Sequence, residues 1–312
     1  MSKAKNEIIM FMKSVGKRNP CKEFLLLKLW QCVLLLFTFI IASSSCLSKV
    51  YSKDSITWMI LDWPPWMILE GEDKGNGRFN HILKVAQDNL PEYDHVTEIM
   101  NWARFWHEVE QNNNICYPFG LKSGNRENLV YYSIPHTFVL PNAIIIKKAD
   151  ADKLGNPESY SIVTLLSDKR FNGYAEKNRS FTEKVDTLLK KYESGSNLTR
   201  VSARAESLIK MVSTGRIDYT IEYPIVAEYY NKKGDDTASI TSIPISEMEP
   251  YSYVYLCCTK NEWGKRIIEK WNEVLRRIKT TDEYRSITEI GHTDKKELKL
   301  IRQYYEAFID AQ

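Results

Sequence analysis

The feature that most limits the fold is an alternation of short β-rich runs with amphipathic helical stretches. The run Ser55 to Asp62 ends at Pro64-Pro65, which cannot continue a strand. Apolar positions from Phe79 to Leu90 then recur at helical spacing. A second β/α series begins near residue 163, and amphipathic helices fill the chain from residue 262 onward. This order predicts an α/β fold with mainly parallel sheets flanked by helices.

The composition is that of a globular protein, with 43% apolar and 27% charged residues. These fractions exclude collagen-like, disordered and polytopic membrane proteins. The net charge of +3 is uneven, because residues 1–48 carry seven Lys/Arg and only two Asp/Glu. The rest of the chain is slightly acidic, so its charge gives no reason to expect nucleic-acid binding.

The N-terminal segment contains a long apolar run, Leu25 to Leu47, preceded by basic residues and ending in small ones. A basic N-terminal region, an apolar central region and a cleavage region of small residues are typical of a secretory signal peptide. Residues 1–48 are therefore predicted to direct export to the periplasm. An uncleaved N-terminal anchor is the alternative, because an apolar run of about 20 residues can almost span a bilayer. Cys46 also leaves a lipid anchor open, although Ser43 stands where a branched aliphatic residue is usual.

Three cysteines follow residue 46, namely Cys116 and the adjacent Cys257 and Cys258. An odd number in an exported chain argues against a disulfide framework. The adjacent pair is expected to point to opposite faces of a strand. No CxxC or His-rich spacing indicates a zinc site, and no GxSxG, P-loop or GxGxxG motif indicates an enzyme. We therefore expect a protein without metal or cofactor that performs no covalent chemistry.

Four segments resemble, in the right order, motifs of extracellular solute-binding family 3, the periplasmic proteins that serve polar amino acids. The resemblance covers nearly all of residues 55–290. The matching segments are Trp58–Trp66 with Gly77–Asn80, Lys122–Glu127 with Tyr132–Pro135, Gly215–Tyr219, and the return strand with the terminal helices.

The resemblance implies a type 2 periplasmic-binding fold, in which two α/β lobes are joined by two crossover strands. Lobe 1 would comprise residues 49–148 plus 245–312, and lobe 2 residues 149–244. A ligand would lie between the lobes, which would close on it by a hinge motion. The implied partners are a small polar solute and either the membrane subunits of an ABC transporter or a sensor receptor.

Two other interpretations remain open at this point. One is a periplasmic enzyme on the same fold, such as a dehydratase or a relative of the peptidoglycan lyases. The other is a module that has lost its ligand and serves a structural or signalling role. In every case, contact with a membrane is expected only through an uncleaved signal or a lipid anchor.

The candidate ligand-binding residues of lobe 1 are Arg126, Trp63 and Trp66. A guanidinium can bind a carboxylate through two parallel hydrogen bonds, whereas the alternative for Arg126 is a surface residue in a charged turn. The two tryptophans flank the prolines at the carboxyl end of a strand, where ligands of open α/β sheets bind. Their alternative role is core packing. Asp62 and Asn142 join the candidates by position alone.

In lobe 2, Ser180 and Glu183 form an S-x-x-E capping box, which predicts a helix N-terminus. Its free N–H groups, together with Arg179, would face an anionic group of the ligand, or the box would be a plain helix cap.

Glu222 and Tyr223 end the next strand of lobe 2 before Pro224. Where the family usually has an Asp that binds the ligand's ammonium, this chain has Tyr223. The carboxylate of Glu222 can accept an ammonium or hydroxyl groups there, and the phenol can stack. The alternative for this pair is a solvated strand end.

Overall fold

The computed structural model describes residues 53–124, 126–233 and 240–311. The predicted signal peptide or anchor, residues 1–48, lies outside the described residues, as does Cys46. Within the described ranges, no helix has the length and apolarity needed to cross a membrane.

The first sheet has the strand order β2-β1-β3-β11-β4, and β5 also pairs with β11. β1 is parallel to β2 and β3, whereas β11 is antiparallel to β3, β4 and β5. The sheet thus has a parallel centre with antiparallel additions. Its strands are β1 (Ser55–Ile60), β2 (Asp94–Ile99), β3 (Ile115–Gly120), β4 (Val130–Tyr132), β5 (Thr137–Val139) and β11 (Ser252–Thr259).

The second sheet has the order β10-β6-β9-β7-β8, with β7 parallel to β8 and β9, and β6 antiparallel to β9 and β10. The lobe boundary expected at residue 148 placed β6 in lobe 1, but β6 pairs within this second sheet. The strands are β6 (Ala143–Lys147), β7 (Gly173–Glu176), β8 (Leu198–Val201), β9 (Tyr219–Glu222) and β10 (Ile240–Pro244).

Helices cover both sheets, and most follow the predicted apolar spacing. The helix expected over Phe79–Leu90, for example, is α1, Arg78–Asn89. A short 3-10 turn, Asp152–Leu154, follows the helix Lys148–Ala151. The other helices are α2 (Trp102–Glu110), α3 (Lys148–Ala151), α4 (Ile162–Ser167), α5 (Glu183–Lys191), α6 (Ala205–Ser213), α7 (Pro224–Lys233), α8 (Glu262–Ile278), α9 (Asp282–Glu289) and α10 (Lys295–Asp310).

Each sheet has its own apolar core. The first is built around residues such as Trp58 and Trp271, and the second around Ile146 and Phe181. Tyr223, which follows β9 of the second sheet, belongs to the first core. Val226 and Ala227 of α7 belong to the same core, so the two halves meet over this region of the chain.

The chain passes between the sheets twice, through residues 140–142 and residues 245–251. Pro244 at the end of β10 pairs with Ala143 at the start of β6, so the two passages lie side by side. This is the geometry expected of two crossover strands.

Cys116 on β3 and Cys258 on β11 form a disulfide. The odd cysteine count argued against a disulfide framework, and the structure corrects this by showing one disulfide beside one free thiol. The two residues lie 142 positions apart in sequence and become direct partners only through strand pairing, which local spacing does not reveal. Cys257 is a buried free thiol whose Sγ donates to the carbonyl of Tyr117.

Candidate functional site

An inner cavity lies in the groove between the two sheets. Its volume is about 30 Å³, which is enough for roughly two water molecules. The lining is mainly aromatic and comes from both sheets. Its rings include Trp63, Trp66, Trp102, Trp106, Tyr132 and Tyr223.

Trp63 and Trp66 are fixed by the tight turn that follows β1. The backbone N–H of Trp63 donates to the carbonyl of Met67 at 2.8 Å, and that of Trp66 donates to the carbonyl of Trp63 at 3.0 Å. The turn directs the Trp66 ring onto the ring of Tyr223, with 4.3 Å between centroids and an edge-to-face geometry. This contact joins the two halves across the groove.

Arg126 is half-buried beside the inner cavity. Its guanidinium lies 4.4 Å from the centre of the Trp106 ring and donates to the carbonyl of Asn178 in the second half at 2.8 Å. Burial lowers the pKa of Arg126 from its ordinary value. It forms no ion pair with any carboxylate in the described ranges, and the carboxylate of Asp186 acts on its charge only from a longer distance.

Arg179 also lines the inner cavity, but its guanidinium is already hydrogen-bonded to other side chains of the protein. Its two terminal nitrogens donate to the two carboxylate oxygens of Glu222 at 2.6 and 2.7 Å, and one also donates to Asn142 Oδ1 at 2.9 Å. All three side chains are buried. The guanidinium also lies 4.7 Å from the centre of the Trp63 ring. Glu222 and Arg179 therefore balance each other's charge.

The prediction of a capping box formed by Ser180 and Glu183 is wrong. Helix α5 begins at Glu183, and its N-cap is Thr182, whose hydroxyl accepts from the backbone N–H of Val185. Asp186 accounts for the shift, because its carboxylate accepts from the Ser180 hydroxyl and from the backbone N–H of Phe181. Ser180 is thus a donor to Asp186 at the edge of the inner cavity.

A larger outer chamber of about 450 Å³ adjoins the inner cavity. Trp102 lines both. The chamber is formed where β1, β2, β7 and β8 end, and its lining includes Asp62, Glu176 and Asn178. Burial raises the pKa of Glu176 to about 7. Within the described part of the chain, no three His, Cys, Asp or Glu side chains come together as a metal ion would need.

No protein-family model and no curated protein matches this sequence. Solved structures do match. An ancestral arginine-binding protein bound to glutamine aligns with a TM-score of 0.60 and 16% identity, over 78% of this chain and 99% of that one. The substrate-binding protein AbpA of Streptococcus pneumoniae, bound to L-arginine, aligns with a TM-score of 0.57 and 17% identity, over 83% of this chain and 97% of that one.

A histidine kinase sensor domain with similarity to periplasmic binding proteins gives a TM-score of 0.59 and 12% identity, over 75% of this chain and 94% of that one. The fold is that of the periplasmic binding proteins. The two-lobed α/β architecture predicted from the sequence motifs is thereby confirmed. The aligned structures are binding proteins and a sensor domain, and at these identities the alignments establish the fold.

The periplasmic-binding fold brings most of the predicted site residues to the groove between its lobes. Asp62 lines the outer chamber, whereas Glu222 and Asn142 lie behind Arg179 as its buried partners. Those that line the inner cavity are Trp63, Trp66, Arg126, Arg179, Ser180 and Tyr223.

The sequence analysis missed several groove residues, among them Trp102, Trp106 and Glu176. The two tryptophans share one face of α2, a pattern that indicates packing as readily as binding. Glu176 did carry a signal, because it is a carboxylate at the carboxyl end of a strand, where ligands of such sheets bind.

Proposed function

We propose that this chain is an exported solute-binding protein that holds a small polar, carboxylate-bearing ligand between its lobes and performs no chemistry on it. The ligand would pass to an ABC transporter or be read by a sensor receptor. The observation that carries the proposal is the Arg126 guanidinium, which lies in the groove without a carboxylate partner among the described residues.

A carboxylate fits Arg126 better than its present acceptor does. The Asn178 carbonyl accepts one hydrogen bond from the guanidinium, whereas a carboxylate accepts two in parallel and also neutralises the charge. The centre of the Trp106 ring lies 4.4 Å from the guanidinium carbon, and the ring packs against it. Arg179 does not compete for the ligand, because Glu222 occupies both of its terminal nitrogens.

Access to the inner cavity requires the lobes to move apart. Its volume of about 30 Å³ is too small for an amino acid, and Trp66 and Tyr223 meet across it. The adjacent passages at residues 140–142 and 245–251 supply a hinge of the kind that moves two domains as rigid bodies. In this proposal β6 moves with lobe 2, to which its strand pairing attaches it.

Export is supported by the disulfide between Cys116 and Cys258. Disulfides persist in oxidising compartments such as the periplasm and are rare in the cytosol. This agrees with the signal-peptide pattern of residues 1–48.

The test is a thermal-shift and calorimetric screen of amino acids, small carboxylates and glycan fragments. A true ligand at 100-fold its Kd should add about 2.7 kcal/mol to the free energy of unfolding. Arg126→Ala should abolish that gain, and Arg277→Ala, an exposed arginine on α8, should leave it intact. Carboxylate ligands that still bind the Arg126→Ala variant with full affinity would refute the proposal, and recovery of altered ligand would favour an enzyme.

A second candidate is a ligand-independent signalling module. The contact between Trp66 and Tyr223 favours it, since the protein's own aromatic rings occupy the groove. This candidate predicts that no compound in the screen stabilises either the wild type or the Arg126→Ala variant.

A further inference from the structure

The inner cavity contains a chemical group that the proposed function does not use, the thiol of Cys257. Among the described residues Cys257 is the free cysteine, it is 2% exposed, and it lines the inner cavity from β11 of the first sheet. Its neighbour Cys258 points to the opposite face of the strand and is bound to Cys116. One member of the adjacent pair is therefore structural, and the other presents a thiol to the groove.

The sulfur of Cys257 has space on its cavity side. Its Sγ donates a weak hydrogen bond to the carbonyl of Tyr117 at 3.4 Å. Gly120 lies beside the sulfur, and a Cβ at that position would stand 2.9 Å from Sγ, closer than side chains pack. Since Gly120 also lines the inner cavity, its missing side chain leaves this side of the sulfur uncovered.

A second polar group of the same cavity has no partner. Tyr117 is 2% exposed, and its hydroxyl forms no hydrogen bond with any described residue. The groups that act electrostatically on this hydroxyl include Cys257 and, from the second half, Tyr223 and Arg179. The hydroxyl therefore lies near both the thiol and the opposite wall. A buried hydroxyl without a partner costs free energy, so a polar molecule that enters beside the thiol gains a hydrogen bond.

The closed groove keeps this thiol unreactive. Burial raises the pKa of Cys257 to about 12, although the guanidinium of Arg126 lowers it. The nucleophile is the thiolate, which is scarce at neutral pH under these conditions. Arg179 and Tyr223 of lobe 2 belong to the facing wall of the cavity, so separation of the lobes admits water to the sulfur. Burial then no longer opposes ionisation, whereas Arg126 stays in the same lobe as the thiol.

We propose that Cys257 is a site of covalent modification by small carboxylate-bearing disulfides, which reach it only when the lobes separate. Arg126 binds the carboxylate of the small molecule, and the thiolate of Cys257 attacks one of its two sulfurs. A new S–S bond forms, the original one breaks, and the departing thiolate takes up the proton that Cys257 released. Cys257 is thereby oxidised to a mixed disulfide, and the other half of the small molecule is reduced to a thiol.

The modification prevents closure of the groove. The closed inner cavity measures about 30 Å³, room for roughly two water molecules and too little for an organic thiol. An adduct on Cys257 therefore holds the lobes apart and switches solute binding off. The inference goes beyond the proposed function, because it needs the same opening of the lobes but not the same solute.

The first test follows the coloured thiolate that dithiobis(nitrobenzoate) releases on reaction with the full chain. Three N-terminal cysteines are first replaced by serine, namely Cys21, Cys32 and Cys46. Tyr223→Ala should then react at least about tenfold faster than the parent chain, because the population of the open form sets the rate. Tyr305→Ala, the same truncation at a buried position of the first core, should react at the parent rate. Equal rates in the two variants, whether raised or not, overturn the inference.

The second test locates the label and measures its effect. Peptide mapping without reduction should find the adduct on Cys257, and Cys257→Ser should release no coloured thiolate. A label on Cys116 or Cys258 overturns the inference, because the structural disulfide has then reacted instead. Small-angle X-ray scattering should give the labelled chain a larger radius of gyration than the unlabelled chain, and equal radii overturn the block on closure.

Arg126→Ala tests the carboxylate preference. It should slow dithiobis(nitrobenzoate) more than the uncharged reagent dithiodipyridine, and equal slowing overturns the preference. The two proposals also fail separately. A screen without any carboxylate ligand, together with faster labelling of Tyr223→Ala, refutes the proposed function and supports the thiol site. A confirmed ligand, together with labelling that does not depend on lobe opening, does the reverse.

Discussion

At the scale of single residues, the buried pair of Arg179 and Glu222 decides which groove cation is available to a ligand. The two residues are only 4% and 1% exposed, so each charge has lost its water and depends on the other. Asn142 completes the arrangement by accepting a further hydrogen bond from the guanidinium. The pair is therefore a fixed element of lobe 2. Arg126 is the groove cation that can bind the carboxylate of a ligand.

Removing one member of this pair should be far more damaging than removing both. Glu222→Gln leaves the guanidinium without a counter-ion and should lower the free energy of unfolding by about 3–5 kcal/mol. The double variant Arg179→Met/Glu222→Leu should lose less than the single variant. Urea denaturation measures both. Asp88→Asn, which breaks the exposed pair with Lys84, should change stability by at most about 0.5 kcal/mol. Additive losses in the double variant would contradict the coupling.

Glu176 should make stability depend on pH in a defined window. Its pKa is about 7 in the folded chain against an ordinary value of 4.5, so the folded state binds more protons between these values. Stability should therefore fall as pH rises through that window, by about 2 kcal/mol after allowance for solvent in the chamber. Glu176→Gln should lack this loss, as measured by urea denaturation across the window. Parallel pH profiles for the two proteins would contradict the assignment.

The sequence predicts which residue types reach the groove better than it predicts how they are paired. Arg179 and Glu222 lie 43 positions apart, and each was expected to face a ligand. The structure turns them toward each other, because β9 and the turn after β7 end side by side. Side-chain direction depends on this tertiary neighbourhood, which no pattern along the chain encodes.

At the scale of elements, the link between β3 and β11 deserves a direct test, since it closes a loop with a sequence separation of 142 residues. Restricting so long a loop in the unfolded chain should stabilise the fold by about 2–5 kcal/mol. Reducing the disulfide, or making Cys116→Ala/Cys258→Ala, should lower the free energy of unfolding by that amount. Reductant should have no further effect on the double variant. Equal stability with and without reductant in the wild type would contradict the prediction.

Long elements were predictable, whereas the very short strands β5 and β8 were not. Helix α8 and strand β11 have enough residues for their apolar pattern to stand out. β5 and β8 have three and four residues, too few for any periodicity, and their strand character comes from pairing with β11 and β7. The start of α5 was misplaced for a related reason. The capping rule makes the Ser180 hydroxyl an acceptor for the backbone N–H of Glu183, but in the structure this hydroxyl donates to Asp186, which also accepts from the backbone N–H of Phe181.

At the scale of the whole molecule, the contact between Trp66 and Tyr223 sets how closely the lobes approach. Tyr223 follows β9 of the second sheet, but its side chain lies in the core of the first. Its ring centroid is 4.3 Å from that of Trp66 and 5.7 Å from that of Trp63. The hydrogen bond from Arg126 to Asn178 adds a polar link across the same groove. The aromatic cluster and this charged donor thus both contribute to the closed arrangement, together with apolar residues of α6 and α7 such as Ile209 and Val226, which belong to the same core.

Tyr223→Ala should therefore loosen the lobes while each sheet stays folded. The change removes the aromatic bridge and should cost about 3 kcal/mol of stability, as for other buried aromatic truncations. Small-angle X-ray scattering should show a larger radius of gyration than for the wild type, with circular dichroism unchanged. Tyr223→Phe retains the ring and should keep the wild-type radius. If Tyr223→Ala scatters like the wild type, the aromatic contact between Trp66 and Tyr223 is not what holds the lobes together.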